Sequence, residues 1–266
     1  GFIMTTPTAV SFTETDIERF AEHAGRIGLI VDAAGRLDIA GRRVNRLSKG
    51  ALKRALEARV EKGMKEGDSL TLAFPAGMAA EAVDVICLPR AAGETVAREA
   101  GAIFGRARGK AELLLALGSA RRAAAVVQGA VLRDYQFRDH KTSGDAAEGR
   151  IEVMCNDPEG TAEAAAPLLA AADGTFMTRD LVNEPANILT TTEFANRLTE
   201  MTALGLKVEV LEEEQLEELG MRTLLAVGQG SASPSKVVVM QWNGGEEDAA
   251  PLALVGKGVE FATGGI

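Results

Sequence analysis

Short apolar runs alternate with stretches of helical spacing over the first 155 residues. Six runs, rich in apolar and β-branched residues, predict strands: TAVSF (8–12), GLIVD (28–32), SLTLAF (69–74), AVDVICL (82–88), AELLLAL (111–117) and RIEVMC (150–155). Two stretches between them, 93–108 and 119–133, place apolar residues at helical spacing. Strands that alternate with helices in this way predict an α/β fold with a largely parallel sheet.

A second α/β unit is predicted to follow a long alanine-rich helix over 160–183, which Pro185 stops. Thr190 and Glu193 have the spacing of a capping box and predict the start of another helix. The strands expected after it are LKVEVL, KVVVMQW and PLALVGKG (251–258), and EEEQLEELG between the first two predicts an acidic helix that Gly220 stops. We therefore divide the chain into residues 4–165, an N-terminal α/β domain, and 166–266, a connector helix with the incomplete start of a second α/β domain.

Composition restricts the class of protein further. The 266 residues are 46% apolar, enough for a substantial core, and Gly1 to Ile3 precede Met4, which we take as the expected native start. An uninterrupted apolar run of the length that spans a membrane does not occur, so we expect a cytoplasmic protein without membrane contact. Cys87 and Cys155 lie far apart in apolar runs and are expected to be buried free thiols.

The net charge of -9 is distributed unevenly. Residues 1–150 carry 23 Lys and Arg against 19 Asp and Glu, whereas residues 151–266 carry 6 against 19. Within the first part, residues 41–65 contain nine Lys or Arg and two Glu. We interpret this stretch as a solvated helix face, and the alternative is a contact with the phosphates of DNA.

Lys257 lies between two glycines at the end of the last predicted strand. Glycines at such a position let a ligand approach the backbone, and ligand sites of open α/β sheets lie at the carboxyl ends of strands. The loop does not match the phosphate-binding pattern GxxxxGK[ST]. From these residues alone, Lys257 is either an ordinary lysine at the rim of the sheet or part of a site.

VGKGVEFATGGI (255–266) resembles the motif VGKGxxFDxGG of the leucyl aminopeptidases, also called cytosol aminopeptidases. Further stretches are similar to that family in the same order: GAVLRDYQFRDHKT (129–142), RDLVNEPANILTTTEFA (179–195) and LGMRTLLAVGQGSASPSKVVVMQW (219–242). The resemblance is strong from residue 129 onward and weak over residues 8–128.

The resemblance implies an N-terminal domain like a macro domain, followed by a peptidase domain with two divalent metal ions, Mn or Zn. It implies hexamers, peptide substrates and the release of N-terminal amino acids such as leucine. The family's GKG lysine is a metal ligand, and this role maps onto Lys257. Two such metals would hold the substrate amine, polarise the peptide carbonyl and supply a hydroxide nucleophile.

The chain departs from the family pattern at Ala262, which stands where the family has an aspartate that contacts both metals. The second lysine and the later carboxylates expected after GGI do not occur, so no catalytic residue is identified and we expect these 266 residues to be inactive alone. Glu260, two residues before Ala262, is a hypothetical substitute ligand. The alternatives are a part of a longer aminopeptidase and a binding or assembly module, which contacts DNA, a nucleotide or other subunits through the basic N-terminal domain.

Overall fold

A computed structural model describes residues 5–135 and 150–260. The described residues divide into two compact units, one within residues 3–180 and one within residues 181–266. Each of the six strands expected in the first unit is present, namely β1 Val10–Glu14, β2 Arg26–Val31, β3 Ser69–Ala73, β4 Ala82–Cys87, β5 Leu113–Gly118 and β6 Ile151–Cys155. Helices alternate with them: α1 Ile39–Leu47, α2 Ala51–Glu61, α3 Glu94–Arg108, α4 Ala123–Arg133 and α5 Pro158–Asn183, with a 3-10 helix over Ile17–Ala21.

The six strands form one sheet in the order β1-β6-β5-β2-β4-β3. All neighbouring pairs are parallel except β3 with β4, so the predicted α/β class with a largely parallel sheet is confirmed. β5 shows why such a strand is apolar throughout, because it is covered on both faces. Its Leu113, Leu115 and Leu117 pack in one buried cluster, whereas Leu114 and Ala116 pack in another.

The two clusters place different helices on the two faces of the sheet. Val126 of α4, Phe104 of α3 and Phe176 of α5 belong to the cluster that holds Leu115. Val44 of α1 and Leu52 of α2 belong to the cluster that holds Leu114. The first unit is therefore a three-layer arrangement with helices on both faces. Cys87 and Cys155 are buried and free, as expected.

The second unit is smaller and built from shorter elements. They are α6 Thr191–Thr199, a 3-10 helix over Glu200–Leu204, β7 Lys207–Leu211, α7 Glu213–Glu218, α8 Arg222–Val227 and β8 Val237–Gln241. β7 and β8 pair antiparallel with each other. The predicted acidic helix and two of the three predicted strands are thus confirmed.

The basic stretch 41–65 falls on α1, α2 and the residues that follow α2, and most of its charged side chains are exposed. This placement agrees with a solvated face and does not test the DNA alternative. In the described part of the chain, no helix combines the length and the apolar content needed to cross a membrane.

Candidate functional site

The segment that carries Lys257 has no regular secondary structure from residue 251 to residue 259. The prediction of a strand over PLALVGKG is therefore wrong. A strand needs a hydrogen-bonded neighbour, and among the described residues of this unit β7 and β8 pair only with each other. Without such a neighbour the apolar side chains of the segment are exposed: 88% for Leu254 and 99% for Val255.

Gly258 is the point at which this segment passes α6. A Cβ atom at this position would lie 3.1 Å from Cε1 of Phe194, which is closer than most Cβ contacts in proteins. The glycine after Lys257 therefore lets the backbone approach an aromatic ring of the same unit. Lys257 itself is exposed, whereas Glu260, two residues after Gly258, is partly buried.

The described residues do not fit a two-metal centre. Within residues 5–135 and 150–260, no three or more His, Cys, Asp and Glu side chains are grouped so as to hold a metal ion. Lys257 and Glu260 offer one amine and one carboxylate, while hard divalent ions need several oxygen ligands. Ala262 lies outside the described residues.

Buried charged side chains and a helix cap stabilise residues 184–197, which precede this segment in the chain. The Arg197 guanidinium donates through Nη2 to Glu184 Oε1 at 2.9 Å and through Nε to Glu193 Oε1 at 3.1 Å. The side chains of Arg197 and Glu184 are almost completely buried. Thr190 Oγ1 accepts from the Glu193 backbone N–H at 3.2 Å, which confirms the predicted start of α6.

Sequence reasoning found the cap but missed this ion pair. Glu184 lies within the stretch 179–195 that resembles the aminopeptidase family, but neither the resemblance nor the residue pattern assigns a role to Glu184 or Arg197. The two residues are thirteen positions apart, and a proline and the start of α6 lie between them, so spacing alone could not predict the contact. The pair connects the end of α5 to α6 and fixes the chain path ahead of the candidate site.

The exposed apolar segment predicts self-association. We expect sedimentation velocity to show concentration-dependent oligomers of the 266-residue chain, because Leu254 and Val255 are exposed side by side. Leu254→Asp should shift the distribution toward monomer. Val182→Asp is the control, since Val182 is an exposed apolar residue on α5, outside this segment. A monomer at all concentrations for the parent chain would contradict the prediction.

Solved structures with this fold were found by structural comparison. A mutant of tomato leucine aminopeptidase matches with a TM-score of 0.67 and 18% identity, over 87% of this chain and 50% of that one. The bottromycin maturation enzyme BotP in complex with Mn matches with a TM-score of 0.60 and 30% identity, over 83% of this chain and 45% of that one. The chain thus has an α/β fold that it shares with leucine aminopeptidases.

Sequence comparison finds relatives among the cytosol aminopeptidases. Residues 176–266 match the sequence model of the cytosol aminopeptidase family, catalytic domain. Probable cytosol aminopeptidases of Cereibacter sphaeroides and Dinoroseobacter shibae are each 51% identical over 99% of this chain and 54% of their own length. The chain is therefore related to the cytosol aminopeptidases, as its motifs indicated, and it spans about half the length of these curated relatives.

Proposed function

We propose that this chain is the front part of a metal-dependent aminopeptidase of the leucyl type, which acts on peptides in the cytoplasm as a homo-oligomer, a hexamer. The observation that carries the proposal is the 51% identity to probable cytosol aminopeptidases over 99% of the chain. The Mn ion named for BotP, which is 30% identical, supports a divalent metal as the cofactor. Residues 4–165 would form the macro-like domain, and residues 166–266 would begin the peptidase domain.

We do not propose that the 266 residues catalyse peptide hydrolysis by themselves. One ligand can be assigned, Lys257, and the described residues contain no carboxylate cluster to complete two metal sites. A metal site that lacks several ligands loses orders of magnitude in rate. The peptidase activity we propose therefore belongs to a longer polypeptide that supplies the remaining ligands.

Hydrolysis of a leucine anilide with added Mn²⁺ or Zn²⁺ tests this proposal. The 266-residue chain should be inactive, and a version extended through the family's remaining motifs with Ala262→Asp should turn over substrate. Lys257→Met in the extended version should reduce kcat by several orders of magnitude, while Lys110→Met, a change of the same type in the other unit, should leave it unchanged. An inactive extended protein that binds both metals would contradict the assignment.

Glu260 is proposed as a partial substitute for the missing carboxylate at residue 262. Its partly buried position beside Gly258 is compatible with this role. Metal titration of the extended protein with Ala262 retained should show weaker affinity in Glu260→Gln, and equal affinity in the variant and its parent would refute the role.

A second candidate function is a binding module that contacts DNA through α1 and α2. The feature that suggests it is a groove of about 980 Å³ along these helices. Its lining includes five cationic side chains, those of Arg36, Arg42, Arg46, Lys49 and Lys53, together with the carboxylates of Glu57 and Glu61. Salt-dependent DNA binding by a protein that stays without peptidase activity when extended would favour this function over the first.

A further inference from the structure

A cleft of about 180 Å³ lies at the carboxyl edge of the sheet in the first unit. Its walls include the ends of β2 and β5 and the chain after β4. β2 and β5 are neighbours, yet β2 is followed by α1 on one face of the sheet and β5 by α4 on the other. The cleft therefore lies at a topological switch point, where open α/β sheets bind ligands.

Arginines dominate the charge of this cleft. Its lining contains Arg36, Arg90, Arg121 and Arg122 against the two carboxylates Asp32 and Asp38. The side chain of Arg122 is partly buried, and its Nε has no hydrogen-bond partner within residues 5–135 and 150–260. The contact found for the Arg90 guanidinium is a long one, 3.5 Å to the carbonyl oxygen of Ser119.

Both carboxylates are engaged by nearby groups. Asp32 Oδ2 accepts from Arg36 Nε at 2.7 Å, and Asp38 Oδ1 accepts from the Gly41 backbone N–H at 2.9 Å. Burial would raise the pKa of Asp32, but the bonds from the Arg36 backbone and guanidinium outweigh it and lower that pKa. Asp32 is therefore charged and paired with Arg36. The other three arginines outnumber the remaining carboxylate, Asp38, so the lining carries an excess of two positive charges.

The backbone adds to this positive character. Both α3, after Gly93, and α4, after Arg122, begin beside the cleft without a side-chain cap. The free N–H groups and the dipole of a helix start favour an anion. Gly118 turns the chain toward this edge with a φ of 54°, a conformation that costs glycine little.

We propose that this cleft binds a small anion through a diphosphate group. Arginine forms charge-assisted, often bidentate hydrogen bonds with phosphate oxygens, and the excess of two positive charges in the lining favours a multiply charged anion such as two linked phosphates. The volume of about 180 Å³ suits a compact anion of this kind. This proposal is independent of the peptidase proposal, because all the residues of the cleft lie in the first unit.

The diphosphate proposal is tested by calorimetric titration of the full 266-residue chain with inorganic pyrophosphate. The titration is carried out without divalent metal and at low ionic strength. Saturable binding at one site is expected. Arg122→Gln and Arg121→Gln should each weaken it about tenfold or more, because each removes charged hydrogen bonds to phosphate. Arg54→Gln is the matched control, since Arg54 is exposed on α2 and does not line the cleft. Arg121 is exposed, so its variant tests the proposal even if Arg122→Gln fails to fold.

Three results would overturn the proposal: no saturable binding, an equal loss in Arg54→Gln, or sulfate binding as tightly as pyrophosphate. Titration with ADP distinguishes a diphosphate that belongs to a nucleotide from a free diphosphate. Competition between ADP and pyrophosphate would support a nucleotide ligand, and binding of pyrophosphate alone would support a free diphosphate.

Discussion

Replacing Arg108 by methionine should lower the free energy of unfolding by about 3–5 kcal/mol, the usual cost of leaving one partner of a buried ion pair uncompensated. Arg108 Nη2 donates to Asp134 Oδ2 at 2.7 Å, and the two side chains are 0% and 3% exposed. The same guanidinium donates to the Ala111 carbonyl at 2.6 Å and to Thr8 Oγ1 at 3.2 Å. Urea unfolding followed by far-UV circular dichroism measures the loss.

Two further variants separate the ion pair from helix effects. Arg106→Met changes an exposed arginine on the same helix and should alter the unfolding free energy by at most about 0.5 kcal/mol. Arg108→Met combined with Asp134→Leu removes both charges and should regain most of the loss, because the penalty arises from the unpaired carboxylate. A loss below about 1 kcal/mol in Arg108→Met would show that the pair contributes little.

The second large effect on stability is expected where α3 packs against α4. Gly101→Ala should destabilise the chain by about 1–3 kcal/mol or more, even though alanine is the better helix former by about 1 kcal/mol. A Cβ atom at Gly101 would lie 1.8 Å from the Val126 carbonyl oxygen. The clash is with backbone on both helices, since a Cβ at Gly129 would lie 1.9 Å from the Arg98 carbonyl oxygen. The helices would have to separate.

Gly174→Ala is a control that should change the stability of the chain in the opposite direction. Gly174 is exposed in α5, and a Cβ atom there would have no neighbour within 4 Å. This substitution should stabilise the chain by about 0.4–1 kcal/mol, because only the helix preference and the entropy of the unfolded chain change. Thermal and urea unfolding of the two variants should therefore move in opposite directions. Similar shifts in both would mean that the two helices adjust to a methyl group without cost.

The local elements were predictable because each depends on neighbouring residues. The apolar run at Leu113–Gly118 becomes a strand buried on both faces, and the Thr190 hydroxyl caps α6. The candidate site was predictable only in part. Resemblance pointed to Lys257, but whether a carboxylate cluster surrounds it depends on residues distant in sequence, and the described part of the chain contains none.

Residues 251–258 have the apolar composition of a strand, but they form none, because a strand also requires a hydrogen-bonded partner, which composition does not supply.

The need for a partner elsewhere in the chain also separates the features that the sequence determined from those that it left open. Alone it determined the α/β class, the six strands of the first unit and the resemblance to the cytosol aminopeptidases. Only the tertiary structure decided the strand order β1-β6-β5-β2-β4-β3, the burial of Arg108 with Asp134 and the grouping of arginines at the cleft. These features join residues far apart along the chain, where packing rather than local preference sets the contact.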